Sequence, residues 1–323
     1  MTGARTAPAP RPVAGSQRAE LEEILQGVRQ ALTARDEDPT GAWVEESAAE
    51  LSGGAKPGWF VPGPRGGIIF YARRGSAAFG HLHTVGDPTV ARTLASTLFE
   101  QLPADVASLD LGFTGLAPDA ERTLVEELAR RPGSTVIDRR ALERSLGTAD
   151  GQFSAKPPGG LRLVPVSAVT LEALADLDRR AFQGSTDALL LGHEPSAYRR
   201  ALEAMLESRL GRFLPEASAA LLDEGPTRLV GGVLTAERSP HRALVLDLVV
   251  DPERRRRGLG RFLLGWTLRA VWALGYETAR LWATVRNAPA MELYRAFGFR
   301  TALEATIYRW DRAGAPTQPQ TSR

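Results

Sequence analysis

Apolar positions recur at two spacings along this chain and sort it into helices and strands before any motif is considered. Leu21, Ile24, Leu25, Val28 and Leu32 stand at helical spacing and predict a helix over Arg18–Ala34, after a Pro/Ala/Arg-rich start (1–17) expected to be a disordered tail. Asp36 to Gly41 breaks that helix. Short apolar runs between Gly/Pro turns then predict strands at Gly58–Val61, Gly67–Ala72 and Ala77–Val85, the last stopped by Asp87-Pro88. A helix over Thr89–Leu102, a strand over Ser108–Phe113 and a helix over Ala117–Arg130 complete the first half.

Between Leu146 and Gly160 the composition turns to Gly, Pro, Ser and Lys, so 147–160 reads as a linker between a domain over 18–146 and another over 161–312. The second half opens with a strand, Leu161–Val166. Thr170 suits the N-cap of a helix whose Leu171, Leu174, Leu177 and Phe182 form one face. Gly184–Pro195 reads as a loop containing Leu189-Leu190-Leu191, and a helix over Ser196–Leu210 follows. Strands at Ala217–Leu222, Leu229–Thr235 and Ala243–Val250 form a meander. A helix over Leu259–Leu274, a strand over Ala279–Val285, a helix over Ala288–Phe297 and a strand over Thr301–Trp310 come next, and a polar tail runs from Ala313. Alternating strands and helices of this kind place the chain in the α/β (α+β) class.

The composition narrows the chemistry. In 323 residues, 40 Lys+Arg stand against 38 Asp+Glu, a net charge of only +2, so composition argues for neither a nucleic-acid nor a membrane surface. Cysteine is absent, which removes disulfides, thiolate metal sites and a cysteine nucleophile together. Of the four histidines, His81 and His83 share a strand face but have no third ligand in view, so no metal site is expected. With no apolar leader segment and no span of membrane length, a cytoplasmic location is expected.

One local feature stands out: four consecutive arginines, Arg254 to Arg257, then Gly258-Leu259-Gly260, between an apolar strand stopped by Asp251-Pro252 and a helix start. Glycine lets the backbone approach a ligand, the first helical amides lack intrahelical partners, and the helix dipole favours an anion there. A P-loop is a poor match because no Gly-Lys-Ser/Thr closes the turn, and a dinucleotide fingerprint is partial because Leu263 fills its third glycine position. The remaining pattern, Arg255-x-x-Gly258-x-Gly260 after a Val-Asp-Pro strand end, resembles the acyl-CoA pyrophosphate loop of the GCN5-related N-acetyltransferase (GNAT) superfamily.

The element order of the second half matches that family. The first half repeats it, with Val85-Gly-Asp-Pro88 answering Val249-Val-Asp-Pro252 and Ala107-Ser-Leu109 answering Ala279-Arg-Leu281. The resemblance implies two tandem GNAT-like domains forming a pseudo-dimer, each a mixed, mostly antiparallel central sheet flanked by helices. The N-terminal copy reads as degenerate, because Thr-Val-Ala-Arg-Thr-Leu follows Asp87-Pro88 in place of the arginine and glycine turn, and Arg122 stands where the second copy has a tyrosine.

By the same resemblance, acetyl-CoA is the acyl donor. Its pyrophosphate would lie on Arg255, Arg256, Arg257, Gly258, Leu259, Gly260 and Arg261, and its pantetheine arm on the backbone of Leu248, Val249 and Val250, with the Leu248 amide facing the oxyanion. Asn287 would contact the arm, and Tyr294 would be the general acid for the departing thiolate. Asn287 also suits a helix N-cap, and Tyr294 a core position. The base is less defined. Ribosomal-protein N-terminal acetyltransferases, which this half resembles in Leu-Trp-x-x-Val-Arg, carry a glutamate where Thr284 stands here. Asp247, a lone carboxylate in an apolar strand, is then the leading catalytic candidate, ahead of His241, Glu237 and Glu304.

The acceptor would be the primary amine of a small molecule or of a peptide or protein N-terminus. An α-amine is neutral in about a tenth of molecules at pH 7, a lysine amine in only about 0.04%. The segment from Gly184 to Leu210 would shape that acceptor's site. A mycothiol-synthase-like tandem acetyltransferase and a non-catalytic acyl-CoA-binding regulator remain as alternatives.

Overall fold

A computed structural model describes residues 8–13, 18–34, 42–191, 195–225 and 228–312. The C-terminal tail, most of the N-terminal tail and the break at Asp36–Gly41 lie outside them. Two compact units emerge: one holds the described residues up to Asp138 and those from Ala305 on, and the other holds Arg139–Glu304.

In the first unit β1 (Arg11–Pro12), α1 (Arg18–Ala34), α2 (Ala42–Ser52), β2 (Gly58–Val61), β3 (Gly67–Arg74), β4 (Ala77–Thr84), α3 (Pro88–Gln101), β5 (Ser108–Thr114) and α4 (Pro118–Ala129) follow in order. β1 to β4 are antiparallel neighbours, and β5 joins β4 in parallel. β3 reads as an unbroken apolar run because both its faces are covered. Ile68 and Phe70 pack under α1 and α2, while Ile69 and Tyr71 pack under α3 and α4. One expectation is corrected here, and one element is added. Arg11 and Pro12 pair with Trp59 and Phe60 on the open edge of β2 and are not disordered. The helix α2, whose Val44, Ala48 and Leu51 mark its packed stripe, was not foreseen.

The strand β6 (Ser134–Ser145) is another element that the apolar pattern misses. It is rich in charge, and the charge is matched inside the sheet: Glu143 lies opposite Arg280, which donates to it at 2.9 Å, and Arg144 grips Asp150 through two bonds of 2.7 and 2.9 Å. The segment read as a linker is packed for the same reason. Asp150 is 1% exposed, and Phe153 lies against Gly265 with its ring 5.3 Å from that of Phe297 and tilted 35° to it.

The second unit continues with β7 (Leu161–Pro165), α5 (Leu171–Phe182), α6 (Asp187–Leu191), α7 (Pro195–Leu206), β8 (Arg212–Phe213), β9 (Ala219–Asp223), β10 (Leu229–Ser239), β11 (Arg242–Val250), α8 (Leu259–Ala273), β12 (Thr278–Thr284), α9 (Ala288–Ala296) and β13 (Arg300–Asp311). Its strands run in the order β7, β9, β10, β11, β12, β6. All neighbours are antiparallel except β11 and β12, and β8 pairs β10 to one side. α8 and α9 cover one face of the sheet, α5 and α7 the other. The expected loop at Gly184–Pro195 contains the short helix α6, capped where Ser185 Oγ accepts from the Ala188 amide at 3.3 Å. The end of β13 instead lies beside β5 in the first unit, where Arg309, opposite Asp110, bonds it at 3.1 Å. Among the described residues no helix is long and apolar enough to cross a membrane.

Candidate active site

The site begins with one extra residue in β11. Asp247 faces Leu234 on β10, but the next pair is Val245 with Thr235, so Leu246 is bulged out of register. A bulge exchanges the faces of everything beyond it. Val245, Leu248 and Val250 therefore all join the cluster under α8, while Leu246 and Val249 join the one under α5. Asp247 falls on the α5 side. At the same point β11 leaves its parallel neighbour: Arg242 to Val245 pair with Thr278 to Leu281, and no pair follows. The backbone from Leu246 to Val250 thus borders a parting between two parallel strands.

Beyond the parting lies the arginine turn. Asp251 is buried and closes a short turn by accepting from the Glu253 amide at 3.0 Å, with Arg228 at 2.9 Å and Arg180 at 3.3 Å. Burial works to raise its pKa, but the amide and the two guanidinium groups outweigh it and hold the carboxylate below its ordinary range. Arg254 is tied to Asp223 at 2.6 Å, and Arg255 donates to the carbonyls of Ala181 and Val250. These two arginines fix the loop to its surroundings. Arg256 and Arg257 are exposed and, among the described residues, carry no ion pair. Arg256 (φ 60°) and Gly258 (φ 79°) are both left-handed, which turns the chain sharply into α8. The amides of Leu259, Gly260 and Arg261 precede the first helical bond, Phe262 N–H to the Gly258 carbonyl at 2.9 Å, and no side chain caps them. Arg261 extends over the Phe297 ring at 5.3 Å.

Three carboxylates and a phenol gather at the other end of the parting. Asp247 on β11 is hydrogen-bonded to the carboxyl of Asp178 on α5 and accepts from the Leu248 amide. That amide is the one the resemblance assigns to the oxyanion, and here it serves Asp247. Loss of hydration raises Asp247 to about 6. Asp178, 4% exposed, is raised well above the carboxylate range by burial and by Asp247. Asp187, on α6, accepts from the Thr284 hydroxyl at the end of β12 and from Asn287 Nδ2 at 3.1 Å. Asn287 also caps α9, its Oδ1 accepting from the Ala290 amide at 3.3 Å. Tyr294 on α9 is 8% exposed, and burial, then Asp247 and Asp187, hold its hydroxyl protonated far into the alkaline range.

The structure therefore brings Asp247, Asn287 and Tyr294 together at one end of the parting, with Arg255 to Arg261 at the other. It adds Asp178 and Asp187, which the sequence reading did not single out. Glu237 is engaged elsewhere, by Tyr276 and Arg212, and Glu304 by Arg140. His241 faces Glu277 at the far end of β11. Among the described residues no group of three or more His, Cys, Asp or Glu could hold a metal ion.

Sequence comparison meets this geometry from another side: residues 172–299, which hold the bulged, parted strand and the uncapped turn, fit the acetyltransferase (GNAT) family model. The chain carries a GNAT acetyltransferase domain. A mycothiol acetyltransferase of Clavibacter michiganensis subsp. michiganensis is 28% identical over 169 residues, 52% of this chain and 52% of that protein. A ribosomal protein bS18-alanine N-acetyltransferase of Salmonella typhimurium is 44% identical over 69 residues, 21% of this chain and 43% of that protein. The matched stretches thus span about half the length of these curated relatives. Among solved structures, a GCN5-related N-acetyltransferase from Sphaerobacter thermophilus superposes with a TM-score of 0.62 at 16% identity, covering 94% of this chain and 95% of its own. A tandem GNAT protein from the clavulanic acid biosynthesis pathway superposes at 0.61 and 15% identity, covering 96% and 99%. At such identities the likeness speaks for the fold, over almost the whole chain.

Beside the GNAT domain, the first unit repeats the strand order with the opposite local outcome. β4 and β5 pair without interruption from Ala77–Ser108 to His83–Thr114, and β4 carries no bulge against β3. His81 and His83 each bond the Thr114 hydroxyl at 2.9 Å, fastening the strands where the other pair has parted. Asp87 caps α3 directly, accepting from the amides of Thr89 at 2.9 Å and Val90 at 3.4 Å, so the equivalent helix start is already satisfied.

Proposed function

We propose that the GNAT domain is an acetyl-CoA-dependent N-acetyltransferase acting on a primary amine of a small molecule or of a peptide or protein N-terminus. The observation that carries this reading is the parting of β11 from β12 after Val245, open toward an uncapped turn with two exposed arginines, Arg256 and Arg257. The residues suit acetyl-CoA: strand backbone for an amide-containing arm, left-handed Arg256 and Gly258 with the α8 amides for a pyrophosphate, and Arg256 and Arg257 for its charge. Acetyl-CoA supplies the acyl group as an activated thioester.

The chain's own groups manage the protons. Asp247 takes a proton from the acceptor ammonium, leaving a nitrogen lone pair that forms the C–N bond. As the C–S bond breaks, the sulfur takes the Tyr294 proton, and the phenolate recovers one from the nitrogen. The carboxylates and burial that keep Tyr294 protonated also raise the proton affinity of a thiolate leaving beside it. Asn287 is held by Asp187, so its move to an acyl-donor arm would require that bond to be exchanged. The first unit, with its strands fastened, is proposed as a degenerate copy that binds no acyl donor.

The test is acetyl-CoA consumption over a panel of amines, with mycothiol-type precursors and a ribosomal-protein N-terminal alanine peptide first because of the two kinds of relative. Turnover with at least one amine, lost at unchanged acetyl-CoA binding in Tyr294→Phe, is the expected result. Binding without turnover on any amine would instead favour a non-catalytic acyl-CoA-binding role.

A further inference from the structure

Asp178 is a residue the acid–base scheme above does not use, and its surroundings set it apart. It stands on the buried stripe of α5, four residues after Leu174 and next to Leu177, where helices ordinarily place apolar side chains. It is 4% exposed, and its Oδ1 finds no hydrogen-bond partner. A lone carboxylate in such a place is costly unless it is neutral or serves another group.

The groups facing the two carboxyls, each other included, come from five elements. Asp178 meets Asp247 from β11 and lies near Tyr198 from α7. Asp247 meets Asp178 from α5, Asp187 from α6, Tyr294 from α9 and its neighbouring Leu248 amide. Among the described residues no cation acts on either carboxyl. Two carboxyl groups can hydrogen-bond each other only if one carries the proton, and Asp178, 4% exposed and with an unpartnered oxygen, is its place.

We propose that Asp178 is a positioning residue that stays protonated and donates to Asp247, so that the two form one proton-sharing pair and Asp247 presents an oriented, ionised oxygen to the acceptor amine. The inference rests on the reading of Asp247 as the base. With Leu248 N–H and Asp178 O–H both donating to it, Asp247 is held in one orientation at the bulge. Accepting the acceptor's proton takes the pair from one proton to two, with no charge left buried between them. Like-charged carboxylates in contact do not ionise together, which keeps the pair's first proton in place at neutral pH.

The experiment compares wild type, Asp178→Asn and Asp178→Leu as full-length proteins. Asn keeps a donor in place of the carboxyl O–H, and Leu removes it. Steady-state kinetics should give a kcat within about threefold of wild type for Asn and at least about tenfold lower for Leu, with KM for acetyl-CoA unchanged in both. Equal kcat in all three, or an Asn variant as impaired as Leu, overturns the proposal.

A second readout does not depend on turnover. The folded protein must keep a proton on Asp178 that the unfolded chain releases above its ordinary pKa of about 3.9, so wild-type stability falls relative to Asp178→Asn as pH rises from there. The difference in Tm, Asn minus wild type, should therefore grow between pH 4 and pH 8. A difference that stays constant over that range overturns the proposal in an active enzyme. A growing difference in a protein that acetylates no amine would uphold the protonated pair and reject the enzymatic reading alone.

Discussion

At single residues, the proposed chemistry depends on which side chain can take a proton. Asp247, raised to about 6 by loss of hydration, is ionised at neutral pH and neutral below. Acetylation is accordingly predicted to fall as pH drops through about 6, with kcat/KM measured from pH 5 to 8 showing that limb and Asp247→Asn abolishing it. The same substitution should lower kcat by about 10²- to 10⁴-fold, the usual range for a general base, without weakening acetyl-CoA binding.

Asp247 was legible in the sequence because a carboxylate interrupts an apolar strand. Asp178 was equally legible in principle, as an acid on the apolar stripe of α5, but a helical face tolerates polar residues at its margin and only packing shows which side of the margin it falls on. Asp187 was not legible. The sequence offered Thr284 as the position lacking an acid, and the structure fills that place from another element, with the Thr284 hydroxyl donating to a carboxylate carried by α6.

At the scale of elements, the turn between β11 and α8 is where sequence and structure agree most closely, because Asp-Pro and Gly-x-Gly act through local backbone geometry. Gly258 sits at φ 79°, and a Cβ there would meet nothing within 4 Å, so Gly258→Ala incurs only the left-handed penalty, about 1–2 kcal/mol. The predicted outcome is a protein that still folds, with a modestly lower Tm and a much smaller thermal shift on adding acetyl-CoA. Arg256→Ala with Arg257→Ala should raise KM for acetyl-CoA about tenfold or more and leave kcat nearly unchanged, since these exposed guanidiniums would contact the phosphates and not the reacting atoms. An unchanged KM would remove them from the site.

The bulge at Leu246 is the opposite case. Nothing in Ala-Leu-Val-Leu-Asp-Leu-Val-Val announces it, because Leu and Val pack on either face and the register is decided by β10. β6 escaped for a related reason: its charges look like surface until Glu143 and Arg144 are seen facing Arg280 and Asp150.

At the scale of the whole molecule, the repeat read from two Val-x-Asp-Pro segments extends to strand order, with an antiparallel meander, a helix and a parallel strand in each unit. Its exchange of last strands could not be read from the chain, since neither β6 nor the end of β13 carries a signal naming its neighbours. In the first unit His83 is buried, and desolvation lowers its pKa to about 4, so it stays neutral in the folded state down to that pH while the unfolded chain takes up a proton below about 6.5. Stability from this residue is present above about 6.5 and is lost as pH falls toward about 4. Thermal melts across that range should show His83→Asn to be less acid-sensitive than wild type.

Acyl-donor binding is proposed to belong to the parted strands and uncapped turn of one unit alone. Isothermal titration of the full chain with acetyl-CoA tests it most directly. One molecule bound per chain, with binding lost in Gly258→Ala combined with Arg256→Ala and Arg257→Ala, is the predicted result. Two molecules per chain, or one whose affinity that triple substitution leaves unchanged, would contradict it.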